Sequence, residues 1–193
     1  PNGNILISDQ QHHQVIEVDA FGNIVWQFRN YRNTNVLHPK LTNGSFRNLN
    51  EDGTPADWIL FNRFSEGGGQ IIWEENEARP CPGLSFDREG ALCLQQVVCV
   101  TPGITYKMAG RIRTEDMHDG AFAYLQLAFV DKYGGLIEDA SKAPKGNLFA
   151  ENMDWLEDIV EATAPAYATA VELRVVICGS GRVFVKNIML LKG

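Results

Sequence analysis

The chain has 193 residues, 45% of them hydrophobic, and its 24 acidic side chains outnumber 17 basic ones, which gives a formal net charge of -7. This length and composition are typical of a globular protein of one large or two small domains. The acidic balance, without a basic stripe of interleaved aromatics, argues against a nucleic-acid partner. No apolar run approaches the roughly 20 residues that span a bilayer, so we expect no membrane insertion.

The first 28 residues contain three short runs, ILIS, QVIEV and NIVWQF, that are rich in β-branched and aromatic residues and separated by turn residues. Such runs predict a three-stranded β-meander. A meander of this size buries too little apolar surface to be stable alone, and its pattern does not recur after Trp26. We therefore expect a partner surface to cover these strands, with self-association through them as one route.

Residues 29–40 lose the alternation and contain Asn, Thr and Pro, which predicts a linker. We therefore divide the chain into a meander and linker at 1–39 and a second domain at 40–193. Pro1 lies inside a strand-and-turn pattern and not in a basic, apolar leader, so we expect the chain to be a fragment or a processed product.

The second domain alternates apolar and polar residues repeatedly, with the period of two that is typical of half-buried strands. Glycine-containing turns separate these runs, which favours an antiparallel β-sandwich and an all-β fold. Only residues 153–162 suggest helix, and they fit a strand equally well. The strand-like runs are 58–61, 90–100, 105–114, 121–131, 169–177 and 182–191.

The four cysteines form no C-x-x-C motif. Cys93 and Cys99 lie on one predicted strand, too far apart to bridge each other at about 3.3 Å per residue. We expect reduced, partly buried thiols, although an even count leaves three full pairings open.

Six segments of the second domain follow one another in a recognisable order: LTNGSFRN, EDGTPADWILF, GALCLQQVVCVTPGITYKMAGRIRT, AYLQLAFVDKYGGLI, Trp155 with APAYATAVELRV, and GSGRVFVKNIML. This order resembles the galactose-binding-like β-jelly-rolls, in particular the family 4, 9 and 22 carbohydrate-binding modules. The resemblance covers essentially all of the second domain. It implies a non-catalytic module that binds a glycan or polysaccharide, in an extracellular or cell-surface location.

The opening stretch contains Asn-Gly-Asn, Val-Asp and Gly-Asn-Ile-Val-Trp. These landmarks resemble one blade of a β-propeller of the quinoprotein or arylsulfotransferase type. The resemblance implies that the rest of a larger propeller protein is a partner of this chain.

The jelly-roll resemblance also implies a site for a structural calcium ion, which in that family is held by a carboxylate after the first Asn-Gly-x-Phe and another in the last strand. Arg47 and Lys186 stand at those positions here. Calcium prefers several oxygen ligands of net negative charge, so we expect no metal and no other cofactor. The alternative is an ion held by backbone oxygens with Asp52 or Asp57.

Sugar recognition needs flat aromatic faces and planar polar side chains. Trp26, Trp58 and Trp155 fall on landmarks of the two resemblances, and we expect all three to pack internally. Trp73 lies outside any landmark, between GGGQII and EENEA, and is our aromatic candidate for ligand contact.

Alternation along three strand-like runs predicts their two faces. The core face would hold Tyr106, Met108, Ile112, Leu125, Leu127, Phe129, Leu173, Val175 and Ile177. The other face would hold Lys107, Arg111, Arg113, Tyr124, Gln126, Glu172 and Arg174. If these strands share one sheet, Tyr124 is a platform and Arg111, Arg113, Gln126 and Arg174 donate hydrogen bonds to a glycan or acidic sugar. The alternative is a solvated outer face.

Catalysis finds little support in the sequence, and we expect no catalytic residues. No histidine spacing resembles a metal site, and no nucleophile motif occurs. The carboxylates near 74–77 and 151–158 would form a glycosidase pair only if they converged. The favoured hypothesis is therefore a carbohydrate-binding targeting module, and the alternative is a docking domain of a propeller protein with no soluble ligand.

Overall fold

The computed structural model of this chain describes residues 3–9, 14–29, 38, 40–62, 69–74, 81–87 and 89–193. These residues form twelve strands and no helix, so none of them could cross a membrane as a helix. The chain divides into two compact units, Pro1–Val36 and Leu37–Gly193. The fold is all-β: an antiparallel β-sandwich of the jelly-roll kind, with a short N-terminal β-meander.

The first unit is a three-stranded antiparallel meander of β1 (Ile5–Asp9), β2 (Gln14–Val18) and β3 (Ile24–Arg29). Its second turn is fixed by the Asp19 carboxylate, which accepts backbone hydrogen bonds from Phe21 and Asn23 at 2.9 Å. Large apolar side chains are exposed in this unit, namely Ile5, Leu6, Ile7, Phe21 and Val25. The covering partner that the sequence led us to expect stays a prediction, as does the propeller-blade interpretation.

The described residues of the second unit form nine strands in two antiparallel sheets. The five-stranded sheet has the order β10-β8-β12-β6-β5, and the four-stranded sheet has the order β4-β7-β11-β9. Their bounds are β4 Ile59–Asn62, β5 Gly69–Glu74, β6 Cys81–Phe86, β7 Ala91–Cys99, β8 Thr105–Glu115, β9 Phe122–Val130, β10 Met153–Thr163, β11 Ala170–Cys178 and β12 Gly181–Lys192.

One hydrophobic core joins the inner faces of these two sheets. All nine side chains that alternation assigns to the core belong to it, and none is more than 6% exposed. Burial of such side chains contributes about 1.5–3 kcal/mol each, so this core dominates the stability of the second unit. Trp58, predicted to pack internally, lies in the core with its ring 5.0 Å from that of Phe46.

The six strand-like runs agree with six observed strands to within one residue at each end. Residues 153–162 form strand β10, which decides between the two alternatives. The sequence reading missed β5 and β6, which lack a long alternating run. β6 contains Pro82 and Gly83, two residue types that strand interiors normally avoid.

The four cysteines are thiols and not disulfides, with Cys81 and Cys93 buried. Most of the expected linker, 30–37 and 39, lies outside the described residues, as does the side chain of Trp26.

Candidate functional site

The predicted site residues lie on two different sheets. Arg111 and Arg113 are on β8 of the five-stranded sheet, whereas Tyr124, Gln126 and Arg174 are on β9 and β11 of the four-stranded sheet. All five point away from the core, so the thickness of the sandwich separates the two sets. The condition that these strands share one sheet is not met, and these five residues do not line one cleft.

The set on the four-stranded sheet is buried. Tyr124 is 8% exposed, Gln126 1% and Arg174 8%. The segment after β9 returns along the free edge of that strand, where the Gln126 amide donates a hydrogen bond to the Ala140 carbonyl at 2.7 Å. The Lys145 ammonium lies 5.3 Å from the centre of the Tyr124 ring. A glycan would reach these side chains only if this segment moved away.

Internal partners satisfy most of the polar groups in this buried set. Arg174 forms an ion pair with Glu172 and donates to Gln126 at 3.2 Å. Burial, the largest single effect, lowers the pKa of Arg174, but the charge and hydrogen bond of Glu172 together with the charges of Cys93 and Tyr124 outweigh it, and the pKa is raised overall. Burial also raises the pKa of Tyr124. These features are those of a structural polar network and not of an exposed binding surface.

The outer face of the five-stranded sheet presents a different arrangement, centred on Arg113. Its guanidinium lies 4.6 Å from the centre of the Phe184 ring and 5.2 Å from that of Trp155. It forms ion pairs with Glu74 and, at 3.0 Å, with Glu115. Burial lowers the pKa of Arg113, but the hydrogen bond and charge of Glu74 with the charge of Glu115 more than offset this, so the pKa is raised. Arg113 is therefore a positively charged side chain that its ion pairs hold in place on this face.

Trp155 is the main aromatic side chain of this face, which corrects the expectation that it packs in the core. It is half-buried on β10, and the Lys186 ammonium nitrogen lies 3.8 Å from its ring centre. Arg111 donates from Nη2 to the Trp155 carbonyl oxygen at 3.2 Å. A β-bulge between Met153 and Leu156 shifts the register here. Bulges re-aim side chains, so the position of Trp155 on a landmark of the resemblance did not determine the face on which its ring lies.

Trp73, the sequence's aromatic candidate, does not join this group. It is half-buried on the edge strand β5, where its register partner is Pro82. The same register pairs Ile71 with Leu84, and both of these pack in the core. Since alternate residues share a face, Trp73 lies on the inner side of the sheet, opposite to Glu74.

Apolar side chains continue this outer face toward the other end of the sheet. Ile159, Ala109 and Met189 occupy one row across three adjacent strands, and Leu191 lies in the next row. Ile159, Met189 and Leu191 are 42%, 47% and 50% exposed. The face therefore combines an aromatic ring, cations and an apolar strip, which is the mixture that binds the apolar faces and hydroxyls of a sugar chain.

The acidic candidates among the described residues differ in their surroundings. Glu74 is engaged by Arg113, and Glu151, Asp154 and Glu157 are exposed. Asp158 is fully buried, where it accepts hydrogen bonds from the backbone and amide nitrogens of Asn147. Residues 75–77 of the other cluster lie outside the described part of the chain.

No group of three or more potential metal-binding side chains occurs among the described residues. Of the two alternative calcium ligands, Asp52 uses its carboxylate within its own turn, where it accepts hydrogen bonds from Thr54 at 2.6 and 2.9 Å. The side-chain hydrogen bond from Thr54 is the main cause of the lowered pKa of Asp52.

Sequence reasoning missed Trp155, Phe184 and Lys186. Alternation in the last strand could have identified Phe184 and Lys186 as outward-facing, because Val183 and Val185 are core residues and their neighbours point to the other face. Trp155 lacked such a signal, since the bulge beside it breaks the period of two.

No family model matches the chain, and no curated protein matches it. Many solved structures match most of the chain, and three of them illustrate the likeness. The enzymatically active domain of tailspike protein 4 from bacteriophage CBA120 has a TM-score of 0.56 and 13% identity, over 83% of this chain and 22% of that one. TmCBM61, solved in complex with β-1,4-galactotriose, has a TM-score of 0.51 and 15% identity, over 81% and 99%. The C-terminal family 22 carbohydrate-binding module of Clostridium thermocellum Xyn10B has a TM-score of 0.51 and 12% identity, over 78% and 94%.

At these identities the likeness establishes the β-sandwich fold. The chain spans about a fifth of the tailspike domain's length but nearly the full length of the two carbohydrate-binding modules.

Proposed function

We propose that residues 37–193 form a non-catalytic carbohydrate-binding module whose ligand lies on the outer face of the five-stranded sheet. The single observation that carries this proposal is the position of Trp155. Its ring lies on a sheet face with the Arg113 guanidinium 5.2 Å and the Lys186 ammonium 3.8 Å from its centre, and Arg111 donates to its backbone carbonyl oxygen. A half-buried indole among hydrogen-bond donors supplies both parts of sugar recognition, the platform and the polar partners.

The likeness to carbohydrate-binding modules supports the same proposal. TmCBM61 was solved with a galactotriose, and the Xyn10B module belongs to family 22 of such modules. Fold alone does not determine function, so the weight rests on the residues of the face. A targeting role follows, in which the module holds the protein on a polysaccharide.

A docking domain without a soluble ligand is the second candidate function. Ile159, Met189 and Leu191 favour it, because they form an exposed apolar strip on the same sheet face. A sugar ligand would use this strip as an apolar floor, whereas a protein partner would cover it completely.

A polysaccharide binding screen with the whole chain and its Trp155→Ala variant tests the proposal. We expect saturable binding to at least one polysaccharide and a loss of affinity of tenfold or more in the variant, which is about 1.4 kcal/mol. Tyr133→Ala is the matched control, since Tyr133 is an exposed aromatic under a lysine elsewhere on the chain. No binding to any polysaccharide, or equal loss in both variants, would refute the proposal and favour the docking role.

A further inference from the structure

The five-stranded sheet ends in a long edge strand, β10, whose outer side is free among the described residues. β10 pairs with β8 on one side, and no described strand pairs with it on the other. No hydrogen bond between backbone groups joins residues 156–163 to a described residue outside that pairing. Alternate residues of an edge strand direct their N–H and C=O groups away from the sheet, so β10 offers a row of unpaired donors and acceptors. Such an edge accepts an extended peptide as a further strand.

The outward side chains along this edge alternate between acidic and apolar. Glu157, Ile159 and Glu161 share the outer face of the sheet, and all three are exposed. Their neighbours on β8 include two cations, because Arg111 is the register partner of Glu157 and Lys107 that of Glu161. Neither of these described pairs forms an ion pair. Both carboxylates are therefore open to a cation on the edge side.

This pattern argues against a second copy of the chain as the added strand. In an antiparallel pair of two β10 strands centred on Ile159, Glu157 of each copy would face Glu161 of the other. Like charges directly opposite each other destabilise such a pair. A register centred one residue to either side would place Ile159 opposite a glutamate. The edge thus rejects its own copy, which is a common way for edge strands to avoid self-association.

A basic extended segment fits the same positions. A central apolar residue would lie opposite Ile159, and lysines or arginines two residues before and after it would lie opposite Glu157 and Glu161. The apolar row of Ile159, Ala109 and Met189 would then continue onto the added strand. The net charge of -7 also favours encounter with a basic partner.

A cavity at the end of the same edge supplies a second point of contact. Its volume is about 60 Å³, and its lining includes Thr163 and Pro165 at and after the end of β10, with Ile137, Ala143 and Pro144 from the segment that follows β9. One water needs about 10–15 Å³, so the cavity has room for a small apolar side chain. A peptide that extends past Thr163 would pass beside it.

We propose that the free edge of β10 binds an extended basic segment of another protein, which pairs with residues 156–163 as an added strand and places cations opposite Glu157 and Glu161. This inference goes beyond the proposed carbohydrate-binding function. It uses the edge of the sheet, whereas the glycan is proposed to lie on the outer face beside Trp155, and neither proposal depends on the other.

Three labelled peptides test the side-chain pattern with the whole chain. TKTVTKT has the expected pattern, TTKVKTT has the same composition with both lysines on the opposite face from the valine, and TETVTET reverses the charges. Fluorescence anisotropy at 20 and 200 mM NaCl measures the affinities. We expect TKTVTKT to bind at least tenfold more tightly than TETVTET and at least threefold more tightly than TTKVKTT. The higher salt should weaken binding, because surface charges are screened over about 10 Å at 0.1 M.

Two N-methylated forms of TKTVTKT separate backbone pairing from attraction between charges. One form is methylated at the amides of its second and fourth residues, and the other at those of its third and fifth. An added strand directs only one of these two sets of N–H groups toward β10. We expect one form to bind as TKTVTKT does and the other to lose at least fivefold in affinity.

A double variant locates the effect on β10. Glu157→Gln with Glu161→Gln should reduce the preference for TKTVTKT over TETVTET by fivefold or more. Glu51→Gln with Glu89→Gln is the matched control, since both of these glutamates are exposed outside β10 and their replacement should leave the preference intact. Thermal unfolding shows that both double variants are folded.

Three results would each overturn the inference: equal affinity for the three peptides, equal effects of the two methylated forms, or a control variant that reduces the preference as much as the edge variant. Sedimentation of the chain tests the other occupant. Self-association that Ile159→Lys abolishes would assign the edge to a second copy and overturn the inference as well. Polysaccharide binding and its loss in Trp155→Ala are measured separately, so the proposed function stands or falls independently.

Discussion

Arg174 donates a hydrogen bond from Nη1 to the Gln126 Oε1 at 3.2 Å, between two side chains that are 8% and 1% exposed. Gln126 in turn donates to the Ala140 carbonyl oxygen, so it joins β11 to the segment that follows β9. The pair lies on the four-stranded sheet, whereas the proposed ligand face belongs to the other sheet.

Gln126→Ala is therefore expected to affect stability and not binding. The substitution removes one hydrogen-bond partner from the buried Arg174 guanidinium and one from the Ala140 carbonyl, which lowers the free energy of unfolding by about 1–3 kcal/mol. Urea unfolding measures the loss, and a polysaccharide titration of the folded variant measures the affinity. Trp155→Ala is expected to lose polysaccharide affinity and to keep its stability. A Gln126→Ala variant of normal stability that no longer binds would place the ligand on the four-stranded sheet.

The stability of the second unit is expected to fall as the pH rises above about 9. Burial raises the pKa of Cys178 above its ordinary value of 9.0, and burial with the Cys178 contact raises that of Tyr124 above 10.0. In this range the unfolded chain loses these protons before the native state does, so the native state binds more protons and the free energy of unfolding decreases with pH.

Urea unfolding at pH 8 and pH 10.5 measures this effect. Tyr124→Phe and Cys178→Ala each remove one ionisable group, so both variants are expected to lose less stability than the parent between the two pH values, and the double variant least of all. A double variant that loses as much stability as the parent would show that other groups cause the alkaline destabilisation.

Gly44→Ala is expected to destabilise the second unit strongly. A Cβ at Gly44 would lie 2.1 Å from the backbone oxygen of Ile188, and the Ile188 N–H donates to the Gly44 carbonyl at 2.8 Å. Because backbone atoms cannot move apart as easily as side chains, the free energy of unfolding should fall by at least about 1–3 kcal/mol, the amount that is usual for overpacking. Thermal or urea unfolding measures it.

Gly135→Ala is the matched control for that substitution, because a Cβ there would only touch the Asp131 side chain at 3.4 Å. It should change the free energy of unfolding by less than about 1 kcal/mol. Similar losses in the two variants would mean that β12 shifts to accommodate a side chain at position 44.

The alternation of apolar and polar residues predicted the individual strands. The period of two in runs such as 121–131 and 169–177 follows from the geometry of one strand, in which successive side chains point to opposite faces. It therefore assigned Leu125 and Val175 to the core correctly, without knowledge of their partners. It also placed Arg111 and Tyr124 correctly on outward faces.

The pairing of strands lies beyond such local patterns. The sequence near Arg113 contains no signal that β8 lies between β10 and β12. The sequence near Tyr124 likewise contains no signal that its strand pairs with β11. These neighbours are far apart in the chain, and many strand orders satisfy the same alternation.

The sequence by itself determined that this chain is an all-β sandwich with cations and aromatics on its outer faces, because that information is local and periodic. Only the tertiary structure decided which of them meet. It buried Gln126 and Arg174 in a polar network, turned Trp155 outward through a bulge, and brought Lys186 from the last strand onto its ring. The physical reason is that a site on a sheet face is assembled across strands, and its composition depends on strand order and register.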